Sequence, residues 1–125
     1  MNAAAKYTQV RNETASKEQI MVLLFETAPK YMRAGPTALE HGKFTDAVVM
    51  LTKASDIVAE LDNTLDRGKA PELCDRLHDI YLFVAQRLAG TLTARNPTRA
   101  REAERVFAPI ATAFSEAVTS LGVGQ

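Results

Sequence analysis

The chain has no tryptophan and a single cysteine, Cys74. One thiol excludes an internal disulfide and fits a reducing compartment, so a cytoplasmic protein is expected. Glycine and proline are sparse, at six and five residues of 125, which excludes collagen-like and loop-dominated low-complexity chains. No run approaches the roughly 20 apolar residues that span a bilayer, and the first residues lack the charged start and apolar stretch of a signal peptide. Membrane insertion is therefore not expected. Net charge is also missing: 15 basic residues balance 15 acidic ones. A strongly cationic surface for nucleic acid is not expected. Arg95, Arg99, Arg101 and Arg105 form a local basic stretch, but Glu102 and Glu104 interrupt it, so it reads as a solvated helix face.

What is present is apolar content and helical period. Hydrophobic residues make up 46% of the chain, too many for disorder throughout. Ser16 and Gln19 are spaced for a capping box, and Ile20, Leu23, Leu24, Ala28, Tyr31 and Met32 recur at three- and four-residue steps toward Gly42. That spacing predicts a helix with one buried face. Pro29 and Pro36 interrupt it, and each deprives the carbonyl four residues earlier of its donor. Gly35-Pro36 is the stronger break, leaving a bent helix or a split one with a short fifth helix. A second helix is predicted from about Phe44 to Asp66, with Val48, Leu51, Ala54, Val58, Leu61 and Leu65 inward.

Arg67 to Ala70 reads as a linker, and Pro71 suits the first turn of a third helix. That helix carries Leu73, Leu77, Ile80, Tyr81, Val84, Leu88 and Leu92. Asn96-Pro97 restarts the chain for a fourth stripe from Ala103 through Val106, Phe107, Ile110 and Phe114 to Leu121, with a local distortion expected at Pro109. Four segments of similar length and short connections predict an all-α, antiparallel up-and-down four-helix bundle. Residues 1–15 read as a mobile N-terminal arm on which Tyr7 and Val10 can share one side of a helical turn. Residues 16–121 form the bundle domain, and 122–125 a loose end.

Reactive chemistry is thin. The chain has no glycine-rich nucleotide loop, paired CxxC motif or catalytic triad pattern. A di-iron bundle draws on two ExxH pairs, whereas here Asp75-Arg76-Leu77-His78 offers one DxxH and His41 adjoins a helix-ending glycine. No metal or other cofactor is expected, and the protein is expected not to be an enzyme. His78 is the one candidate for a phosphorelay reading, and Cys74 has no resolving partner. A binding module is the leading class; the alternatives are that phosphorelay protein and a structural adaptor with another partner.

Four segments together carry a resemblance. They are Tyr7-Thr8-Gln9-Val10 followed by Thr14-Ala15-Ser16 and the apolar run to Ala28; Lys53-Ala54-Ser55-Asp56-Ile57-Val58; Leu77-His78-Asp79-Ile80-Tyr81-Leu82-Phe83-Val84-Ala85-Gln86-Arg87-Leu88; and Ala113-Phe114-Ser115-Glu116-Ala117. In order and spacing this pattern resembles the flagellar secretion chaperone (FliS) family from about Tyr7 to Ala117. Ile80, Phe83 and Val84 are conservative departures, Phe114 stands where the family often has tryptophan, and the internal prolines are unusual.

The resemblance implies a cytoplasmic export chaperone. Its partner would be the disordered C-terminal segment of flagellin, which becomes helical around the bundle and is kept from premature polymerisation. Components of the export apparatus would be further partners. Ile57, Leu61 and Leu65 on the second helix, with Leu77 and Tyr81 on the third, are the candidate groove positions. Tyr7 and Val10 are the candidate self-cap that covers apolar surface when flagellin is absent. Oligomeric state stays open.

Overall fold

The computed structural model describes residues 16–120. Four helices follow in order: α1 (Lys17–Glu40), α2 (Phe44–Asn63), α3 (Pro71–Ala94) and α4 (Pro97–Ser120). The predicted capping box starts α1. The Ser16 hydroxyl accepts from the Gln19 amide at 3.1 Å, and the Gln19 side-chain oxygen accepts from the Ser16 amide at 2.9 Å. Two amides that lack partners inside the helix are thereby satisfied. Gly42 closes the other end at φ 73°. The Lys43 amide reaches the Ala38 carbonyl at 2.9 Å, and the Gly42 amide reaches Leu39 at 3.1 Å. This is a Schellman closure, which favours glycine in the left-handed position.

Of the two outcomes expected at Gly35-Pro36, the split does not occur. Helix α1 runs unbroken through both prolines, and no short fifth helix forms among the described residues. Packing explains the difference. Pro29, Gly35 and Pro36 are all buried, because α1 lies against both α2 and α4. A side-chain carbon added at Gly35 would sit 2.5 Å from Leu51 Cδ2. Gly35 thus serves the close approach of α1 and α2 rather than a turn, and the surrounding contacts offset the backbone hydrogen bond that Pro36 removes. Helix α4 likewise continues through Pro109.

Helix α2 stops at Asn63, short of the expected Asp66. The Thr64 amide and hydroxyl both donate to the Leu61 carbonyl, at 3.1 and 2.7 Å, and Asp66 caps the Gly68 amide at 3.1 Å. These local bonds compete with helix continuation. Helix α3 begins at Pro71, as expected, and ends in Arg95 at φ 50°, whose guanidinium lies 4.2 Å from the Phe44 ring centroid. The Asn96 side chain accepts from the Thr98 amide at 3.1 Å and opens α4.

Each helix packs on two neighbours, α1 on α2 and α4, and α3 on α4 and α2. With short connections this gives the predicted up-and-down four-helix bundle. Its core holds Leu24, Phe25, Met32, Leu51, Val58, Leu61, Tyr81, Val84, Leu88 and Phe107. Phe25 links the aromatic centre, with ring centroids 5.9 Å from Phe107 and 4.6 Å from Phe114. No helix among the described residues is long and apolar enough to cross a membrane.

Candidate partner-binding site

The seam between α2 and α3 is the least closely packed side of the bundle. Near its end, Asp62 on α2 meets His78 on α3, with Nδ1 lying 2.8 and 3.0 Å from the two carboxylate oxygens. A carboxylate only accepts, so Nδ1 carries the proton. The contact fixes residues 61–62 beside residues 77–78. All five groove candidates lie in or against one core cluster.

Their exposures differ. Ile57, Leu61 and Tyr81 are buried, at 8%, 1% and 3%. Leu65 and Leu77 are half-buried and pack against that core from its edge. The first three form a floor, and the last two are accessible at its rim. Leu73, 57% exposed, is the most exposed large apolar residue described. It precedes Leu77 by one helical turn and so extends the rim along the same face. Periodicity placed Leu73 in the buried stripe. Its exposure follows from its place in the first turn of α3, beyond the end of α2. Tyr31 and Cys74 are respectively half-buried against the core and buried. Tyr7 and Val10 lie outside the described residues.

Tyr81 joins the polar cluster. Burial, with the Asp62 carboxylate as the lesser cause, pushes its hydroxyl up to about 12 from 10.0. The hydroxyl therefore stays protonated at neutral pH. Asp62, His78 and Tyr81 place a polar strip beside apolar side chains, an arrangement that can orient a docking helix as well as bury its apolar face. Among the described residues no group of three or more His, Cys, Asp or Glu is arranged to hold a metal ion.

The opposite seam, between α1 and α4, opens into a furrow that periodicity did not reveal. Three adjoining cavities of about 390, 530 and 620 Å³ all have Arg33 in their walls, and Glu104, Arg105, Ala108, Thr112 and Glu116 each line two of them. Small side chains, Ala108, Ala111, Thr112 and Ser115, keep it open above Phe25 and Pro29. From Thr98 to Glu116 it follows α4 for roughly 27 Å. Arg33 crosses it to Glu104 at 2.7 Å, and Arg101 pairs with Glu40. The sequence signal was the run of small residues on α4, which reads equally well as a tight helix contact.

The basic stretch does not form one patch. Arg95 stacks on Phe44, Arg99 lies against Gly90, and Arg101 and Arg105 line the furrow. A family model described as flagellar protein FliS matches residues 1–121. No curated protein matches the chain.

Proposed function

The chain belongs to the flagellar protein FliS family, and on that footing we propose that it is a cytoplasmic export chaperone for flagellin. The family assignment supports the general role of a flagellar export chaperone. The finer reading is that the chain binds the disordered C-terminal segment of flagellin, prevents premature polymerisation and keeps the subunit competent for export. Its complex with flagellin is the form that components of the export apparatus receive.

The observation that carries this reading is the family match over nearly the whole chain. The α2–α3 rim supports it. Leu65, Leu73 and Leu77 offer apolar anchors that a flexible segment can cover as it folds into a helix. Ile57, Leu61 and Tyr81 form the floor beneath them. Ordering a disordered tail offsets part of the contact energy, which suits a carrier that must release its cargo. Tyr7 and Val10 act as a self-cap over apolar surface until the tail displaces them.

Calorimetric titration with flagellin, and with flagellin lacking its C-terminal segment, tests the proposal. Binding by intact flagellin alone is the expected result. Equal binding by both proteins contradicts tail recognition.

A further inference from the structure

The pair at the end of the α2–α3 seam holds a nucleophile in a fixed tautomer. His78 Nδ1 lies 2.8 and 3.0 Å from the two oxygens of Asp62. In the neutral ring the one proton therefore sits on Nδ1 and the lone pair on Nε2. Nε2 makes no hydrogen bond with another described residue. The imidazole is accessible, with 42% of its side chain exposed, and Asp62 is the more covered partner at 27%. Leu61, next to Asp62, and Tyr81, one turn beyond His78, belong to the core, which ties the pair to rigid elements.

A carboxylate on the far nitrogen is the arrangement that activates an imidazole. When Nε2 attacks an electrophile, positive charge develops on the ring, and Asp62 is placed to stabilise it. His41 is the contrast. Its Nδ1 lies 2.8 Å from the Thr37 carbonyl, which favours the same tautomer but brings no charge. Cys74 is buried. The surroundings of His78 also supply a cation. Asp75 precedes His78 by about one turn on the same face, and Arg67 Nε reaches its carboxylate at 3.4 Å. That contact is long and exposed on both sides, so Arg67 can exchange Asp75 for a phosphoryl oxygen. Asp75 and Asp79 both lie within about one turn of His78 and oppose a stably bound anion. A small donor with a good leaving group is the class that fits.

We propose that His78 is a phosphoryl-acceptor site for a small acyl phosphate, with Asp62 as its positioning residue and Arg67 as counter-ion. The Nε2 lone pair forms the N–P bond as the P–O bond to the acyl group breaks. The carboxylate leaves with that electron pair, and the Nδ1 proton stays on the ring against Asp62.

The test incubates the full chain with acetyl phosphate and maps the label by mass spectrometry under alkaline conditions. One acid-labile phosphoryl group is expected on His78, formed at least about tenfold faster than on His41. Asp62→Asn is expected to slow labelling of His78 by roughly tenfold. That is less than the hundredfold or more lost when a charge-stabilising group leaves an enclosed site, because this pair is part-exposed. Asp62→Glu should recover part of the rate. Arg67→Ala should slow labelling about threefold, an effect that added salt shrinks. His41 in each sample reports any general change in reactivity. Absence of label, equal rates at the two histidines, or a His78 rate that D62N leaves unchanged overturns the acceptor site. An unchanged rate in R67A overturns the counter-ion assignment.

Discussion

Gly35 lies where α1 and α2 come closest, and its missing side chain is what lets Leu51 occupy that space. On an open helix face, Gly→Ala is stabilising by roughly 1 kcal/mol. Here the added carbon meets Leu51, which is itself 1% exposed and has little room to move. Gly35→Ala is therefore expected to destabilise the bundle by about 1–3 kcal/mol. A lower urea midpoint with an unchanged slope would show it. Tyr81 gives a second prediction. Its hydroxyl is pushed up to about 12 in the fold, while unfolding returns it to its ordinary value near 10. Between these values the unfolded chain loses the proton and the folded one keeps it, so stability falls as pH rises through that window. Tyr81→Phe removes this contribution. Denaturation midpoints from pH 9 to pH 12 are expected to fall less steeply in that variant.

At the scale of the helices, the sequence carried most of the architecture. Ser16 and Gln19, Gly42, Pro71 and Asn96-Pro97 mark real boundaries because each acts through local hydrogen bonding or backbone geometry. Pro36 left a bend and a split both open because local rules cannot register that α1 packs on two partners at once. Leu73 misled, since period alone does not tell where a neighbouring helix stops. The candidate site was legible in part. Ile57, Leu61, Leu65, Leu77 and Tyr81 lie in or against the common core, but which of them are accessible depends on tertiary packing. This division shapes the test of the seam. Ile57→Ala empties core volume and is expected to cost about 2–5 kcal/mol of stability, so it reports poorly on binding. Leu73→Ser and Leu77→Ser together change the rim. They are expected to weaken tail binding roughly three- to thirtyfold, on the order of 1–2 kcal/mol. Helical circular dichroism should persist. Unchanged affinity in the double variant would remove the rim from the docking surface.

For the whole molecule, zero net charge conceals an uneven distribution. Around the end that holds the α1–α2 and α3–α4 connections, Lys43, Arg95, Arg99 and Arg101 slightly outnumber Glu40, Asp46 and Glu102 without forming one patch. Acidic side chains, Glu60, Asp62, Asp66, Glu72, Asp75 and Asp79, dominate around the α2–α3 connection. Such a layout orients a charged partner during encounter without attracting polyanions indiscriminately. The rim at α2–α3 and the furrow at α1–α4 lie on opposite sides of the bundle. Docking on the rim as proposed requires the disordered tail to gain helix. Far-UV circular dichroism of the chaperone mixed with the isolated flagellin tail measures that gain. A helical signal greater than the sum of the separate components, saturating at a defined stoichiometry, is expected. A mixture that reproduces the sum, at concentrations where calorimetry detects the complex, would contradict folding of the tail on the bundle.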